Sequence, residues 1–96
     1  MLIINNYFTS TKTYNTEHTE IILDGETVSH STYKWLNRPW QKYTYQSSLS
    51  MALKKYFHYK KDKEMLDNLL KLVEDSYSIE TAVRLIEEVL NEKEKN

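Results

Sequence analysis

The amino-acid sequence predicts an α+β fold, in which a small N-terminal antiparallel sheet, a hairpin or three strands, precedes three helices. Three observations support this prediction. Strand-forming residues flank the dipeptide Asp24-Gly25, which is among the strongest short signals of a β-hairpin. Apolar residues in the second half of the chain recur at helical spacing. The length of 96 residues is that of one domain, so we expect residues 1–96 to form a single domain.

Residues 1–32 contain the predicted strands. An apolar start followed by aromatic residues predicts a strand at 2–9, and two further strands at 19–23 and 26–31 flank the predicted turn. The intervening residues 10–16 are rich in threonine, serine and asparagine, which is typical of a turn or a polar edge strand. We therefore expect two or three strands in one antiparallel sheet.

Residues 33–59 are expected to form a helical unit rich in aromatic and basic side chains. Pro39 suits the first turn of a helix, where the missing N–H of proline costs nothing, so the helix is predicted from there to about Tyr59. One stripe at helical spacing is expected to face the core. Its members are Tyr45, Leu49, Ala52, Leu53 and Tyr56.

Residues 62–93 are expected to form a helical hairpin. Asp62 and Ser78 are good N-cap residues, and each precedes an apolar stripe at helical spacing. The link at 75–77 is short, so the two helices are expected to be antiparallel. The stripes are Met65, Leu66, Leu69, Leu70 and Val73, then Ile79, Ala82, Val83, Ile86, Val89 and Leu90. Since neither the sheet nor the helices are stable alone, we expect helices packed on one face of the sheet.

The scarce residue types exclude several classes of site. The single glycine, Gly25, excludes a Walker loop, a dinucleotide-binding turn and a glycine-flanked serine nucleophile, since each needs at least two glycines. The lack of cysteine excludes disulfides, a thiol nucleophile and a cysteine-ligated zinc ion. No apolar run is long enough for a transmembrane helix and no secretory signal is visible, so we expect a cytoplasmic protein with no membrane partner.

The near-neutral net charge of −1 hides an uneven distribution along the chain. Residues 1–33 hold one basic and four acidic residues, residues 34–63 hold eight basic and one acidic, and residues 64–96 hold four basic and nine acidic. The acidic last third has two interpretations: a mimic of a nucleic-acid backbone, or the solvated side of an amphipathic helix. Net charge excludes nucleic-acid binding by overall attraction, although a local basic patch remains open.

Aromatic and basic residues interleave in the middle of the chain. Eight of the twelve aromatic residues fall between Tyr33 and Tyr59, among five lysines and arginines, and Lys60 and Lys61 follow. Aromatic rings stack on bases and lysines neutralise phosphates, so the segment is a candidate surface for single-stranded nucleic acid. The alternative is that the aromatic rings form the core of a small domain while the lysines face solvent.

The face of the predicted helix opposite its apolar stripe is the candidate partner-binding surface. Tryptophan and methionine are enriched at protein interfaces, and polar residues form their rims. The residues proposed to contact a protein partner are Trp40, Thr44, Met51, Lys54, Lys55 and His58, with Lys60 and Lys61 beside them and Ser47 on the same face. The alternative is that Trp40 folds back under the sheet.

The histidines are poor candidates for a metal site. With a two-residue turn at Asp24-Gly25, Ile21 pairs with Val28 and Thr19 with His30, and His18 lies on the opposite face of the sheet. A longer loop shifts the register and places Glu20 beside His30, which leaves a weak His/Glu site open. No local signature marks a catalytic triad. We expect no enzyme, no catalytic or metal-binding residues and no cofactor.

One stretch resembles a known class of sequence. The run Trp35-Leu36-Asn37-Arg38-Pro39-Trp40, within the segment 33–49, resembles a pattern in small phage and prophage proteins of Gram-positive bacteria, where it leads from a short β segment into a helix. The match covers about a third of the chain. The small size, the lack of cysteine and the acidic C-terminal third also resemble those of anti-CRISPR proteins, although no residue-level motif is shared. Anti-CRISPR proteins bind a CRISPR nuclease and block its guide or DNA channel. Independently of any resemblance, Arg38 lies between two indoles, where a cation–π contact is expected.

These observations lead to three functional interpretations. We favour a phage-type interaction protein in the host bacterial cytosol that inhibits a defence nuclease, such as a type II CRISPR nuclease, by binding and occlusion. The second is a nucleic-acid-binding or regulatory phage protein that uses the basic aromatic segment 34–63. The third is a structural or oligomeric phage component whose C-terminal helix pair forms a dimer surface.

Overall fold

A computed structural model describes residues 1–41 and 47–94 and confirms the α+β fold, with three strands rather than two. The strands form one antiparallel sheet in the order β1-β2-β3, and three helices follow it. The elements are β1 (Leu2–Ser10), β2 (Tyr14–Leu23), β3 (Glu26–Leu36), α1 (Ser48–His58), α2 (Lys63–Asp75) and α3 (Ile79–Glu94).

The first connection explains the polar segment between the first two strands. β1 continues to Ser10 and β2 begins at Tyr14, so only three residues form the turn. The Thr11 hydroxyl accepts hydrogen bonds from the backbone N–H groups of Thr13 and Tyr14 (3.3 and 3.0 Å). This side chain closes the turn locally, as serine and threonine do when they compete with regular backbone pairing.

The second connection is the predicted two-residue turn at Asp24-Gly25. Both residues have positive φ angles, 51° and 85°, and Leu23 pairs with Glu26. Positive φ at both central positions is the geometry that matches the right-handed twist of a hairpin, and it is what makes glycine useful here.

A β-bulge then changes the register beyond the turn. Ile22 pairs with Thr27 but Ile21 pairs with Ser29, so Val28 is an extra residue on β3. The predicted pairing of Ile21 with Val28, and with it that of Thr19 with His30, is wrong because the bulge displaces β3 by one residue. Glu20 lies opposite His30, the arrangement expected from a longer loop.

The helix predicted from Pro39, within the unit 33–59, is also wrong at its start. β3 runs to Leu36, and Arg38–Gln41 form a turn in which the Gln41 N–H donates to the Arg38 carbonyl (3.0 Å). Strand pairing of residues 33–36 with residues 14–17 of β2 provides backbone partners that a short local helix lacks. Pro39 occupies the second position of the turn, which its fixed φ angle suits equally well.

The helices pack on one face of the sheet around a single core. α1 contacts β2 and β3, α3 contacts β1, and α2 packs against α1 and α3. The predicted stripes of the three helices face inward within the described residues, and Tyr45 lies outside them. The core comprises Leu2, Ile4, Ile21, Leu49, Ala52, Leu53, Tyr56, Phe57, Leu69, Val73, Ala82, Ile86 and Leu90.

Helix starts agree with the predicted caps. The Asp62 carboxylate accepts a hydrogen bond from the Met65 N–H (3.1 Å), and the Ser78 hydroxyl accepts one from the Thr81 N–H (3.2 Å). α1 begins differently, with Ser47 as its N-cap. In the part of the chain that the structure describes, no helix combines the length and apolar character needed to cross a membrane.

Candidate functional site

The C-terminal end of α1 presents a compact basic surface, which we call the basic tip. It consists of Lys54, Lys55, His58, Lys60 and Lys61, and all five side chains are exposed. Tyr59 lies among them with 84% of its surface exposed. Five of the eight residues predicted to bind a partner therefore lie together.

Local packing explains why these side chains face outward. Leu53, Tyr56 and Phe57 are buried against the sheet and α2, so the remaining positions of the last two turns face solvent. α1 ends at His58, and Lys61, three residues further on, has a φ of 53° and donates its N–H to the Phe57 carbonyl (3.3 Å). This left-handed residue closes the helix end and turns the chain sharply into α2.

The electrostatics of the tip are dominated by positive charge. Lys55 and His58 lie in the last turn of α1, where cations interact favourably with the partial negative charge of the helix terminus. Among residues 1–41 and 47–94, no carboxylate lies within ion-pair distance of Lys54 or Lys61. The nearby acid, Asp62, caps α2 and bonds Lys93; this bond, followed by that from the Met65 N–H, lowers the pKa of the Asp62 carboxyl.

The other predicted residues do not all belong to this surface. Trp40 is 70% exposed and lies in the turn after β3, with Arg38 over its ring at 5.3 Å from the centroid, so the expected cation–π contact forms. Met51 is half-buried, and Ser47, predicted on the same face, is buried. Thr44 lies outside the described residues.

Trp40 and the basic tip lie at opposite ends of the sheet. Asn37, three residues before Trp40, donates its N–H to the carbonyl of Thr13 in the β1–β2 turn (2.8 Å). α1 runs the other way, from Ser48, which contacts Glu17 and Thr19, to Lys55, whose ammonium donates to the His30 carbonyl (3.1 Å). The single face predicted from one long helix is therefore two separate surfaces, because Trp40 lies in a turn and α1 begins only at Ser48.

The aromatic residues of the middle segment divide between core and surface. Tyr56 and Phe57 are buried and meet edge to face, with ring centroids 5.1 Å apart. Trp35 is half-buried and packs edge to face on Phe8 (6.3 Å). Trp40 and Tyr59 are exposed. The predicted core role is therefore correct for Tyr56 and Phe57, whereas Trp40 and Tyr59 lie on the surface.

The sheet face opposite the helices carries a row of rings that the sequence did not predict. Tyr7 stacks on His18 with centroids 4.6 Å apart and planes 5° apart, and His18 stands 6.3 Å from His30. Burial against neighbours, and then the Glu20 carboxylate, raise the pKa of the Tyr7 phenol. Only the bulge brings His18 and His30 to one face. Among the described residues, no three side chains of the metal-ligating types form a metal site.

A second unpredicted feature is a buried polar cluster at the start of α1. Glu17 and Thr19 are fully buried. The Glu17 carboxylate accepts from the Ser48 N–H and from the Asn6 side chain (2.5 and 3.1 Å), and the Asn6 side chain also donates to the Thr19 hydroxyl (2.7 Å). The carboxylate therefore supports the N-terminus of α1, where anions are favourable.

Comparison of the chain with protein-family models, with curated proteins and with solved structures found no match.

Proposed function

We propose that this chain is an interaction protein that binds a host defence nuclease, such as a type II CRISPR nuclease, and blocks it by occlusion, with the basic tip as the contact surface. The observation that supports this proposal is the concentration of five exposed basic side chains around the exposed ring of Tyr59. Aromatic anchors surrounded by polar side chains are typical of binding hot spots.

The chemistry of a nuclease suits such a tip. Metal-dependent nucleases hold their ions with clustered carboxylates, and these present negative charge in a concave site. Lysine heads on a protruding helix end complement that charge and exclude the substrate without any reaction of their own. The choice of a bacterial nuclease as the partner rests on the expected resemblance of segment 33–49 to phage proteins.

A pull-down tests this proposal. Tagged protein is incubated with a nuclease-treated lysate that contains a type II CRISPR system, and the wash uses moderate salt. The test variant is Lys54→Glu with Lys61→Glu, since neither ammonium contacts a described carboxylate. The matched control is Lys12→Glu with Lys71→Glu, which makes the same charge change at exposed positions elsewhere.

The proposal predicts that the wild type and the control retain the CRISPR nuclease and that the tip variant retains much less. Equal retention by the tip variant contradicts the assignment of the surface. Failure of the wild type to retain any CRISPR nuclease contradicts the assignment of the partner.

A second candidate function is binding of single-stranded nucleic acid by the same tip. It is favoured by Tyr59, whose exposed ring is available for base stacking beside lysines that neutralise phosphates. Such binding weakens steeply with added salt because counterions are released, whereas a protein complex held by an aromatic anchor is less sensitive. Recovery of nucleic acid alone from an untreated lysate favours this candidate.

The third interpretation, a structural component that dimerises through α2 and α3, has less support. The apolar residues of these helices that would form such a surface, among them Leu69, Val73 and Ile86, are in the core. Elution of the purified chain as a stable dimer in size-exclusion chromatography is the result that favours it.

A further inference from the structure

A groove runs between the free edge of β1 and helix α3, on a different part of the molecule from the basic tip. One section, of about 310 Å³, is lined by Ile4, Phe8, Ile79 and Val83 with polar neighbours. A second section, of about 550 Å³, continues past Leu2 toward the end of α3. Arg84 and Glu87 line both sections, so the two form one channel along the strand.

Side chains of α3 bond to the outward backbone groups at the start of β1, and the edge beyond Ile4 is left for a partner strand. Asn91 donates its side-chain amide to the Leu2 carbonyl and accepts from the Leu2 N–H (2.9 and 2.7 Å), as a paired strand residue does. Glu87 accepts from the Ile4 N–H (2.7 Å). Because outward-facing groups alternate along a strand, the next outward N–H is that of Asn6, in the groove.

Four of the five charged side chains that line the groove are acidic, and one of these, Glu87, is already bonded to the Ile4 N–H. Glu80, Arg84 and Glu88 are exposed and follow one another at four-residue intervals along α3, about 6 Å apart. Glu80 and Arg84 line the first section, and Arg84 and Glu88 line the second. Side chains on one face of an extended peptide repeat at about 6.6–6.8 Å, which nearly matches this spacing.

We propose that the groove between β1 and α3 binds an extended peptide segment of a partner protein, with basic residues at positions i and i+4 and an acidic residue at i+2. The two basic side chains face Glu80 and Glu88, the acidic one faces Arg84, and the peptide backbone lies beside Asn6. This mode is strand addition guided by a row of alternating charges. It does not depend on the function proposed for the basic tip.

The test uses two labelled peptides whose charges are opposite at each position. The first is Val-Lys-Val-Glu-Val-Lys-Val and the second is Val-Glu-Val-Lys-Val-Glu-Val, and fluorescence anisotropy measures binding of each to the full chain. The wild type is expected to bind the first peptide about tenfold more tightly than the second, since three charge contacts change sign. Equal binding of the two peptides, or no binding of either, overturns the proposal.

A charge-swapped variant of the protein distinguishes charge-specific recognition from nonspecific peptide binding. In the triple variant Glu80→Lys, Arg84→Glu and Glu88→Lys, all three positions are exposed on α3, and circular dichroism checks that the fold is retained. This variant is expected to reverse the preference and bind the second peptide more tightly. A variant that remains folded but keeps the wild-type preference contradicts the assignment of these three side chains.

Discussion

Glu17 is a charged residue in a fully buried position. A carboxylate is rarely fully buried unless it is paired or hydrogen-bonded, and here it accepts from the first N–H of α1 and from Asn6. The side chain therefore joins β1, β2 and α1 at one point. Its position in a polar stretch of β2 gives no sequence signal of burial, because the helix that covers it lies 31 residues further along the chain.

Replacement of Glu17 by alanine is expected to lower the free energy of unfolding by about 2–4 kcal/mol, because the Ser48 N–H then stays buried without its acceptor. Glu17→Gln is expected to cost less, since its amide oxygen still accepts from that N–H. Urea denaturation measures both. Glu26→Ala, at an exposed position of the hairpin, is the control and is expected to change stability by less than about 0.5 kcal/mol. A Glu17→Ala protein as stable as the control would show that the cluster is dispensable.

At the scale of elements, α3 protects the edge of the sheet through side chains rather than a fourth strand. Asn91 and Glu87 satisfy the outward groups of Leu2 and Ile4, which an edge strand otherwise leaves available for aggregation. β1 contains no charged residue or proline that would discourage such pairing. The position of α3 therefore keeps the first part of this edge, at Leu2 and Ile4, closed.

Asn91→Ala is expected to destabilise the fold by about 1–3 kcal/mol, because the buried Leu2 backbone loses partners for both its N–H and its carbonyl. Hydrogen exchange of the Leu2 amide is expected to accelerate at the same time. Asn68→Ala, at an exposed position of α2, serves as the control. Unchanged exchange at Leu2 would mean that Asn91 does not hold this edge.

The contact between α2 and α3 predicts a defined pH dependence. The Lys93 ammonium and the Met65 N–H lower the pKa of Asp62 below its ordinary 3.8, so the stability that its charge contributes is present above that pH and is lost as pH falls through the lower folded value. An asparagine at this position would still cap the helix, but without the charge. Asp62→Asn is therefore expected to melt below the wild type at pH 6, and the difference is expected to shrink below about pH 3.8. A difference that is constant with pH would contradict the role of the charge.

Local signals predicted most elements, and features set by distant pairing were missed. The Asp24-Gly25 turn, the caps at Asp62 and Ser78 and the inward stripes of the helices depend on residues within one or two turns of each other. The bulge at Val28 depends on how β3 meets β2, and a single extra residue leaves no mark in the pattern of β3 itself. The extension of β3 to Leu36 likewise depends on partners in β2.

The candidate site was predicted in part for the same reason. The lysines and His58 at the end of α1 follow the helical period, so the basic tip was predicted as a group. The prediction included Trp40 with them only because it began a helix at Pro39. The groove beside β1 was missed, since it combines residues from the two ends of the chain.

Over the whole molecule, charge is separated in space as it is in sequence. The basic tip closes one end of α1, while the exposed carboxylates Glu80 and Glu88 line the groove on α3. A chain of net charge −1 thereby offers one surface suited to acidic partners and another suited to a patterned basic segment. We propose that the protein acts by binding through these two surfaces.

Inhibition of DNA cleavage by a purified type II CRISPR nuclease tests the function proposed for the basic tip. The wild type and the Lys12→Glu, Lys71→Glu control are expected to inhibit cleavage at the same concentration, whereas the Lys54→Glu, Lys61→Glu variant is expected to need at least about tenfold more protein, because two attractive contacts become repulsive. Inhibition by the folded tip variant at the wild-type concentration, or no inhibition by a saturating amount of the wild type, would contradict this function.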